Sequence, residues 1–429
     1  MRNAHKPIII TTMEVSIIAI GDELLIGQVT DTNSGWIARH LSPLGWSVKS
    51  VRVIGDDSEE IFRAIDAAFA QTDIVLTTGG LGPTKDDITK LTLCRYFGGE
   101  LVHSAEVEKN VLEVLAKRHL TINPLTAAQA MVPSSCRVIQ NRVGTAPIMW
   151  FEKEGKVLVS MPGVPFETEQ MMEREVIPQL VKRFVVNEHI EHRTFVVIDY
   201  MESRLAMRLE DFERQIPPYI HLAYLPKPGI IRLRLSGQHR DAALLHAEMD
   251  RLAALLHDTL GGSIVASEDK PIAAIVGDML RSRGLSLSTA ESCTGGNVAH
   301  AITAIAGSSD YFNGSVVAYS NTVKQEVLGV AAEVLAGHGA VSEPTVRAMA
   351  EGVARLMHTQ CAIATSGVAG PGGGTPEKPV GTVWVAVKCG ERVEAECYHL
   401  PGTRDRVIDR TTTNVLCKLL KLLRDCPVE

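Results

Sequence analysis

Nothing in this sequence of 429 residues spells out a metal framework or a disulfide scaffold. Its eight cysteines, at 94, 136, 293, 361, 389, 397, 417 and 426, form neither a Cys-x-x-Cys pair nor a Cys/His ligand spacing. They read as reduced thiols of a cytoplasmic protein. A basic surplus is missing too: the formal charge is −7, which removes the electrostatic case for nucleic acid or an anionic membrane as partner. The N-terminal stretch MRNAHKPIIITTMEV holds a run of only three isoleucines, too short for a signal peptide or a membrane span. Low-complexity tracts and short repeats are absent as well. What remains, 45% hydrophobic and 22% charged residues, is the composition of a globular protein able to bury a core in each of two or three domains.

Three textures follow one another along the chain. Up to about residue 184, apolar runs alternate with helical patterns: VSIIAI (15–20), TNSGWIARHLSPLG (32–45), VKSVRVIG (48–55), SEEIFRAIDAAFAQ (58–71) and DIVLTTGG (73–80). This order predicts a parallel sheet with helices on both faces, with Ser58 as a helix N-cap. A further βα pair is expected at KVLVSMPG (156–163) and PFETEQMMEREVIPQLVKRF (165–184). Residues 185–265 read β-α-β-β-α, a small α+β unit, and SEDKP (267–271) resembles a linker. From 266 to 429 the chain is again α/β. Its expected strands are GSVVAYS (314–320), CAIATSGVAG (361–370) and GTVWVAVKC (381–389), with a helix capped by Ser342 and another closing the chain.

Two stretches carry chemistry. TTGGLGPTKDDIT (77–89) leaves a strand through Gly79, Gly80 and Gly82, whose amides could approach an anion, and offers Asp86 and Asp87 to a metal or a phosphate. The duller reading is a tight turn with an aspartate cap. GDELLIGQVTDTN (21–33) and MPGVPFE (161–167) also follow strand ends, and such ends share one crevice in an open parallel sheet. AIGDELLIGQVTDTNSGWIA, TTGGLGPTKDDIT and MPGVPFE together resemble the molybdopterin-binding, MoaB/MogA-like domain at the front of the CinA (competence/damage-inducible protein A) family. The resemblance implies a nucleotide or pterin pocket at Gly79, Gly80, Gly82 and Asp87, with Asp56 and Glu167 beside it. It further implies an ADP-ribose pyrophosphatase dependent on a divalent metal of unknown identity. Ile148 of GTAPI stands where relatives carry glycine, a departure that puts part of that pocket in question. The middle segment resembles the family's KH-like module. It lacks the basic GxxG clamp for RNA and has IDYMES (198–203) in place of a glycine-containing turn, so it reads as a spacer.

The second stretch is STAESCTGG (288–296), between a strand and a helix. Amides of Thr294 and Gly295 could form an oxyanion hole near Ser292. A serine needs a base, and Lys324 of YSNTVK, in the first turn of the next helix, could supply one with its charge disfavoured by the helix dipole. Otherwise Lys324 is a solvated charge and Ser292 part of a helix cap. Cys293 is a rival nucleophile. SGVAGPGGG (366–374), holding Ser366, Gly367 and Gly370, suits a ribose-phosphate, or is merely a flexible loop.

TAESCTGG, IAGSSDYFNGSVVAYSN, HGAVSE, SGVAGPGGGTPEKPVGTVW and PGTRDR resemble, in order, the CinA C-terminal domain, the PncC-like nicotinamide-nucleotide amidases. That resemblance spans essentially 270–425. It implies hydrolysis of the carboxamide of nicotinamide mononucleotide to nicotinate mononucleotide and ammonia, without a cofactor. On matching positions Ser292 is the nucleophile, Lys324 the base and Arg404 a third active-site residue, with Tyr319 and Asn321 flanking the lysine. Arg404 would either keep Lys324 neutral or hold an anionic part of the substrate. The expected architecture is two α/β domains joined by a small KH-like α+β domain, with boundaries 1–184, 185–265 and 266–429. The expected partners are small nucleotides (nicotinamide mononucleotide and ADP-ribose) and a second copy of the chain in a homodimer, with no nucleic acid and no membrane. The alternative is a non-catalytic nucleotide- or pterin-binding assembly protein.

Overall fold

The computed structural model describes residues 8–10, 13–84, 87–186, 189–227 and 229–426. They fall into two compact units, residues up to His192 with Gly237–Glu248, and Arg193–Ser236 with Met249 onward.

The first unit is built on a six-stranded sheet in the order Trp46–Ile54, Met13–Ile20, Ile74–Thr78, Lys156–Met161, Ile148–Lys153, Arg137–Ile139. The first four strands are parallel, as expected for strands buried on both faces. The last two are antiparallel, so the sheet is mixed rather than wholly parallel. Alternation along each strand divides two cores. Val15 and Ile17 face one with Ile37, Leu41 and Met171, while Ile18 and Ile20 face the other with Ile61, Ile65 and Leu93. Ile148 opens one of the antiparallel strands, fully buried and paired with Ile139, where a β-branched residue is favoured. The departure from glycine there therefore strains nothing.

Two local expectations need correction. Helix Ser58–Phe69 is capped by Asp57, not Ser58: its carboxylate accepts the Glu60 amide at 2.9 Å. Asp57 has the extended backbone that an N-cap needs, whereas Ser58 is already helical. The helix expected over 165–184 is interrupted by a π turn at Met172–Val176.

In the second unit, helix Glu202–Glu213 packs with the small sheet ordered Ile220–Lys227, Ile230–His239, His189–Val197, Ile264–Ala266. Asp199, in the IDYMES turn, adopts φ 74° and pairs with Lys421. Aspartate is among the few residues that tolerate this left-handed conformation.

A five-stranded sheet follows, in the order Phe312–Val317, Leu287–Glu291, Cys361–Gly367, Thr382–Cys389, Arg392–His399. Its first three strands are parallel and its last two antiparallel. One face (Leu287, Ile363, Val383, Val385) packs on helices Ile272–Ser282 and Arg404–Asp425. The other presents small residues, Ala290, Ala362, Ala364 and Ala386, to helix Glu343–Met357. Ser342 precedes that helix as expected, but its hydroxyl donates to the Gly339 carbonyl and caps no helix amide. No helix among the described residues is long and apolar enough to cross a membrane.

Close packing of helix Glu343–Met357 rests on Gly352, where a Cβ would stand 2.0 Å from the Leu328 carbonyl oxygen. Glycine to alanine inside a helix ordinarily gains about 0.5–1 kcal/mol. At Gly352 the backbone clash outweighs that gain, and Gly352→Ala should destabilise the protein by about 1–3 kcal/mol in denaturant unfolding. Gly337→Ala, in helix Ala332–His338 with open space around it, should be neutral or stabilising. Equal effects of the two substitutions would contradict this packing.

Candidate functional site

Strand Leu287–Glu291 has one parallel neighbour on each side, and Ser292 stands at its carboxyl end. The Ser292 amide donates to the Thr365 carbonyl at 2.9 Å, which extends the ladder by one residue and then stops it. From the neighbouring strand Phe312–Val317 the chain passes Ala318 into helix Asn321–Glu326, capped by the Ser320 hydroxyl, and this helix carries Lys324. The end of strand Cys361–Gly367 adds Ser366 and Gly367, and the first residue of the last helix is Arg404. Chain ends at the carboxyl edge of a parallel sheet converge in this way wherever such sheets bind ligands.

They enclose a cavity of about 230 Å³. Its lining includes Ser292, Cys293, Lys324, Arg404, Tyr319, Asn321, Ser366 and Gly367, eight of the residues singled out from the sequence. Lys324 is 1% exposed. Its Nζ donates to the Ala318 carbonyl at 2.7 Å and the Tyr319 carbonyl at 3.4 Å, and lies 3.2 Å from Ser292 Oγ. Among the described residues it has no ion pair. Burial pushes its pKa below the ordinary lysine value, while nearby Cys293 pushes the other way. Desolvation is the cause that disfavours its charge. Arg404 is not among the causes of that shift. Its guanidinium donates to the Gly370 carbonyl at 2.8 Å and the Tyr319 hydroxyl at 3.0 Å, at the edge of the cavity.

Three expected substrate residues sit elsewhere. Thr294, Gly295 and Gly370 do not line the cavity. The Gly295 amide is spent on the Ser292 carbonyl at 3.2 Å, and the Thr294 hydroxyl on Glu291 at 2.7 Å. Gly370 enters only through the carbonyl that receives Arg404. Ser366 lines the cavity, yet its hydroxyl donates to the Ala340 carbonyl at 2.7 Å and so secures a loop. The amides of Cys293 and Thr294, the first two beyond Ser292, donate to no oxygen acceptor among the described residues. Glu291, a wholly buried carboxylate, escaped the sequence reading; a polar residue in STAES carries no signal of burial.

In the first unit the glycine-rich loop is shaped as its sequence suggests. A Cβ on Gly79 would stand 2.0 Å from the Ile20 carbonyl oxygen; on Gly80 it would stand 2.1 Å from Thr89 Oγ1 and 3.2 Å from Asp56 Oδ1. Asp56 Oδ1 and Thr89 Oγ1 are buried without a hydrogen-bond partner. Burial raises the Asp56 pKa, and the neighbouring carboxylates Asp22, Glu23 and Asp87 add to the shift. Asp87 spends both oxygens on its own loop, accepting the Gly82 amide at 2.7 Å and the Thr84 amide at 2.9 Å. Glu167 accepts from Asn141 at 2.8 Å, whose own carbonyl oxygen receives the Gly144 amide. Asp86 lies outside the described residues. Among those described, no three His, Cys, Asp or Glu side chains are grouped so as to hold a metal ion. Lys90, also missed from sequence, bonds Gln129 at 3.1 Å, and burial pushes it down to about 8.

Three family models match consecutive parts of the chain: the probable molybdopterin binding domain over residues 16–182, the damage-inducible protein CinA KH domain over 192–266 and the CinA C-terminal domain over 269–423. A CinA-like protein of Cytophaga hutchinsonii is 40% identical over 97% of this chain and 99% of its own length. Another from Flavobacterium psychrophilum is 41% identical over 95% and 98%. A crystal structure of the competence damage-inducible protein A of Klebsiella pneumoniae is 39% identical, covering 36% of this chain and 97% of its own, with a TM-score of 0.36. The chain belongs to the CinA family, as the sequence resemblance implied.

Burial weighs against Cys293 as the attacking group. The thiol is buried, and desolvation pushes its pKa up to about 12. Iodoacetamide at pH 8 should therefore leave Cys293 unmodified in the folded protein and alkylate it after unfolding, as read by peptide mass mapping. Rapid alkylation in the native state would contradict the burial.

Proposed function

We propose that this CinA-family chain hydrolyses the carboxamide of nicotinamide mononucleotide to nicotinate mononucleotide and ammonia, with Ser292 as nucleophile and Lys324 as base. The observation that carries the reading is the surround of Lys324. As a neutral amine it has two N–H groups and one lone pair. The Ala318 and Tyr319 carbonyls are placed to take the N–H groups, leaving the lone pair for the Ser292 hydroxyl 3.2 Å away.

Ser292 Oγ attacks the carboxamide carbon while its proton passes to Lys324. The oxyanion of the tetrahedral intermediate is met by the amide of Cys293, which lines the cavity beside Ser292. As the C–N bond breaks, Lys324 returns the proton to the leaving nitrogen and ammonia departs. Lys324 then deprotonates a water that attacks the Ser292 ester, and nicotinate mononucleotide and the free hydroxyl are restored. The cavity, about 230 Å³, is smaller than the roughly 300–1,000 Å³ of sites that enclose a whole drug-sized ligand. It suits the pyridine ring and its carboxamide, with the ribose-phosphate projecting toward Arg404 and the glycine-rich loop. Of the two roles open to Arg404, holding the anion is the one that its place at the rim favours.

A second reading concerns the first unit. The unpartnered Asp56 Oδ1 and Thr89 Oγ1 beside Gly80 favour a bound nucleotide or pterin. We propose binding there, with ADP-ribose as the candidate substrate. Calorimetry with ADP-ribose, and an assay for AMP release with divalent metal added, separate binding from cleavage; no heat and no product would remove the reading.

For the amidase, full-length protein should release ammonia from nicotinamide mononucleotide. Ser292→Ala should lower the rate by about 10⁴-fold or more with the unfolding transition unchanged. Retained turnover would remove the serine. Because the neutral amine is the active form, kcat/KM should rise with pH as Lys324 loses its proton. The midpoint should lie below the ordinary lysine value of 10.5. A profile flat across that range, or one unchanged in Lys324→Arg, would contradict the assignment of the base.

A further inference from the structure

We infer that Glu291 is a positioning residue for this site: its carboxylate fixes the direction of Ser292 by holding the strand end to the first turn of the following helix. The inference rests on the reading of Ser292 as nucleophile.

Glu291 ends strand Leu287–Glu291 and is 0% exposed. Its Oε2 accepts from the Thr294 hydroxyl at 2.7 Å, the Gly296 amide at 3.0 Å and the Val298 amide at 3.0 Å. Its Oε1 accepts the Ala299 amide at 2.8 Å and, more loosely, the Thr289 hydroxyl at 3.5 Å. Every partner is a donor, as an ionised carboxylate requires, and none is a basic side chain. A charge removed from water without a counter-ion is costly, and here charge-assisted hydrogen bonds alone offset it.

A helix start does not ordinarily need such a group. A serine, threonine or aspartate at the N-cap serves, placed immediately before the first helical residue. In helix Asn297–Thr303 the N-cap is Gly296, which has no side chain to offer, and the capping oxygens come from five residues upstream. That distance is what sets the arrangement apart from a simple cap. The backbone of Glu291 is held in the sheet by pairing with Val317 and Thr365, while its side chain is held by the first turn of the helix. The segment Ser292–Gly295 is thereby closed into a loop fixed at both ends. A cross-brace of 2.7 Å between Thr294 Oγ1 and Thr365 Oγ1 adds to it. Ser292 is the first residue of that loop and faces Lys324.

A neutral glutamine would put an NH₂ group against donors, so at least one bond would be lost and the loop released.

The test uses full-length Glu291→Gln with two readouts: ammonia release from nicotinamide mononucleotide, and labelling of Ser292 by phenylmethylsulfonyl fluoride followed by peptide mass mapping. Displacing a reacting group by an ångström costs about 100-fold. The folded variant should lose about that factor in kcat with KM within about twofold, and Ser292 labelling should slow in step. If Glu291→Gln does not fold, Thr294→Val takes its place; it removes one bond to the carboxylate, keeps the amide bonds, and should slow labelling by about tenfold. A folded variant that labels and turns over at the wild-type rate, or one altered only in KM, overturns the inference, as does a wild-type Ser292 inert to the reagent. Wild-type protein that releases no ammonia, yet labels at Ser292 in a Glu291-dependent way, removes the substrate and leaves the positioning role standing.

Discussion

The site depends on a lysine amine brought out of water beside a serine hydroxyl. Lys324 is long enough to lie in solvent, as lysines at helix starts ordinarily do. Here helix Asn321–Glu326 turns it inward, and Leu328 and Val330 are buried with the core on that side. Once buried, the charged form loses its hydration and gains no carboxylate in exchange. The two backbone carbonyls that receive its N–H groups satisfy a neutral amine. The lone pair then has one neighbour, Ser292 Oγ. Burial, orientation and basicity are one constraint seen three ways.

That constraint is met only because the sheet delivers its strand ends together. Ser292 and Lys324 follow two of three adjacent parallel strands, Ser366 lies near the end of the third, and Arg404 opens the last helix, which packs on one face of the sheet. The small residues Ala290, Ala362 and Ala364 let helix Glu343–Met357 lie close on one face, and the larger Leu287, Ile363 and Val385 fill the other. Within this frame the strand-to-helix turn Ser292–Gly296 lacks regular structure of its own. Glu291 supplies there the rigidity that a strand or helix would otherwise provide.

Much of this was legible in the residues. Apolar runs such as VSIIAI and CAIATSG announce buried strands, and their order announces parallel pairing. The antiparallel strand Ile148–Lys153 went unread, because IMWFEK lacks a clean alternation, although Glu154-Gly155, both at positive φ, make the two-residue turn that pairs it with Lys156–Met161. Asp57 and Ser58 are both competent caps in neighbouring positions, and only backbone conformation distinguishes them. Asp199 shows the converse, a left-handed turn made without glycine, which the residues of IDYMES do not announce. In the site, Ser292, Lys324 and Arg404 came from motifs, and the structure brings them to one cavity. The wrong expectations concerned hydrogen-bond ownership. Nothing in TAESCTGG says that a glutamate reaches past the glycines to claim the amides beyond them, or that Gly295 spends its own on a turn. Such assignments depend on which donor lies nearest in space, and spacing along the chain does not record that.

The most direct measurement is the titration of Lys324 itself, followed by NMR of the full-length protein carrying isotope-labelled lysine, with the resonance assigned by its loss in Lys324→Met. A midpoint clearly below the ordinary lysine value of 10.5 is the expected result, and it should move upward when Ser292 is kept but the pocket is opened to water. A midpoint at or above 10.5 would mean a charged lysine beside Ser292, and the account of the base would be wrong.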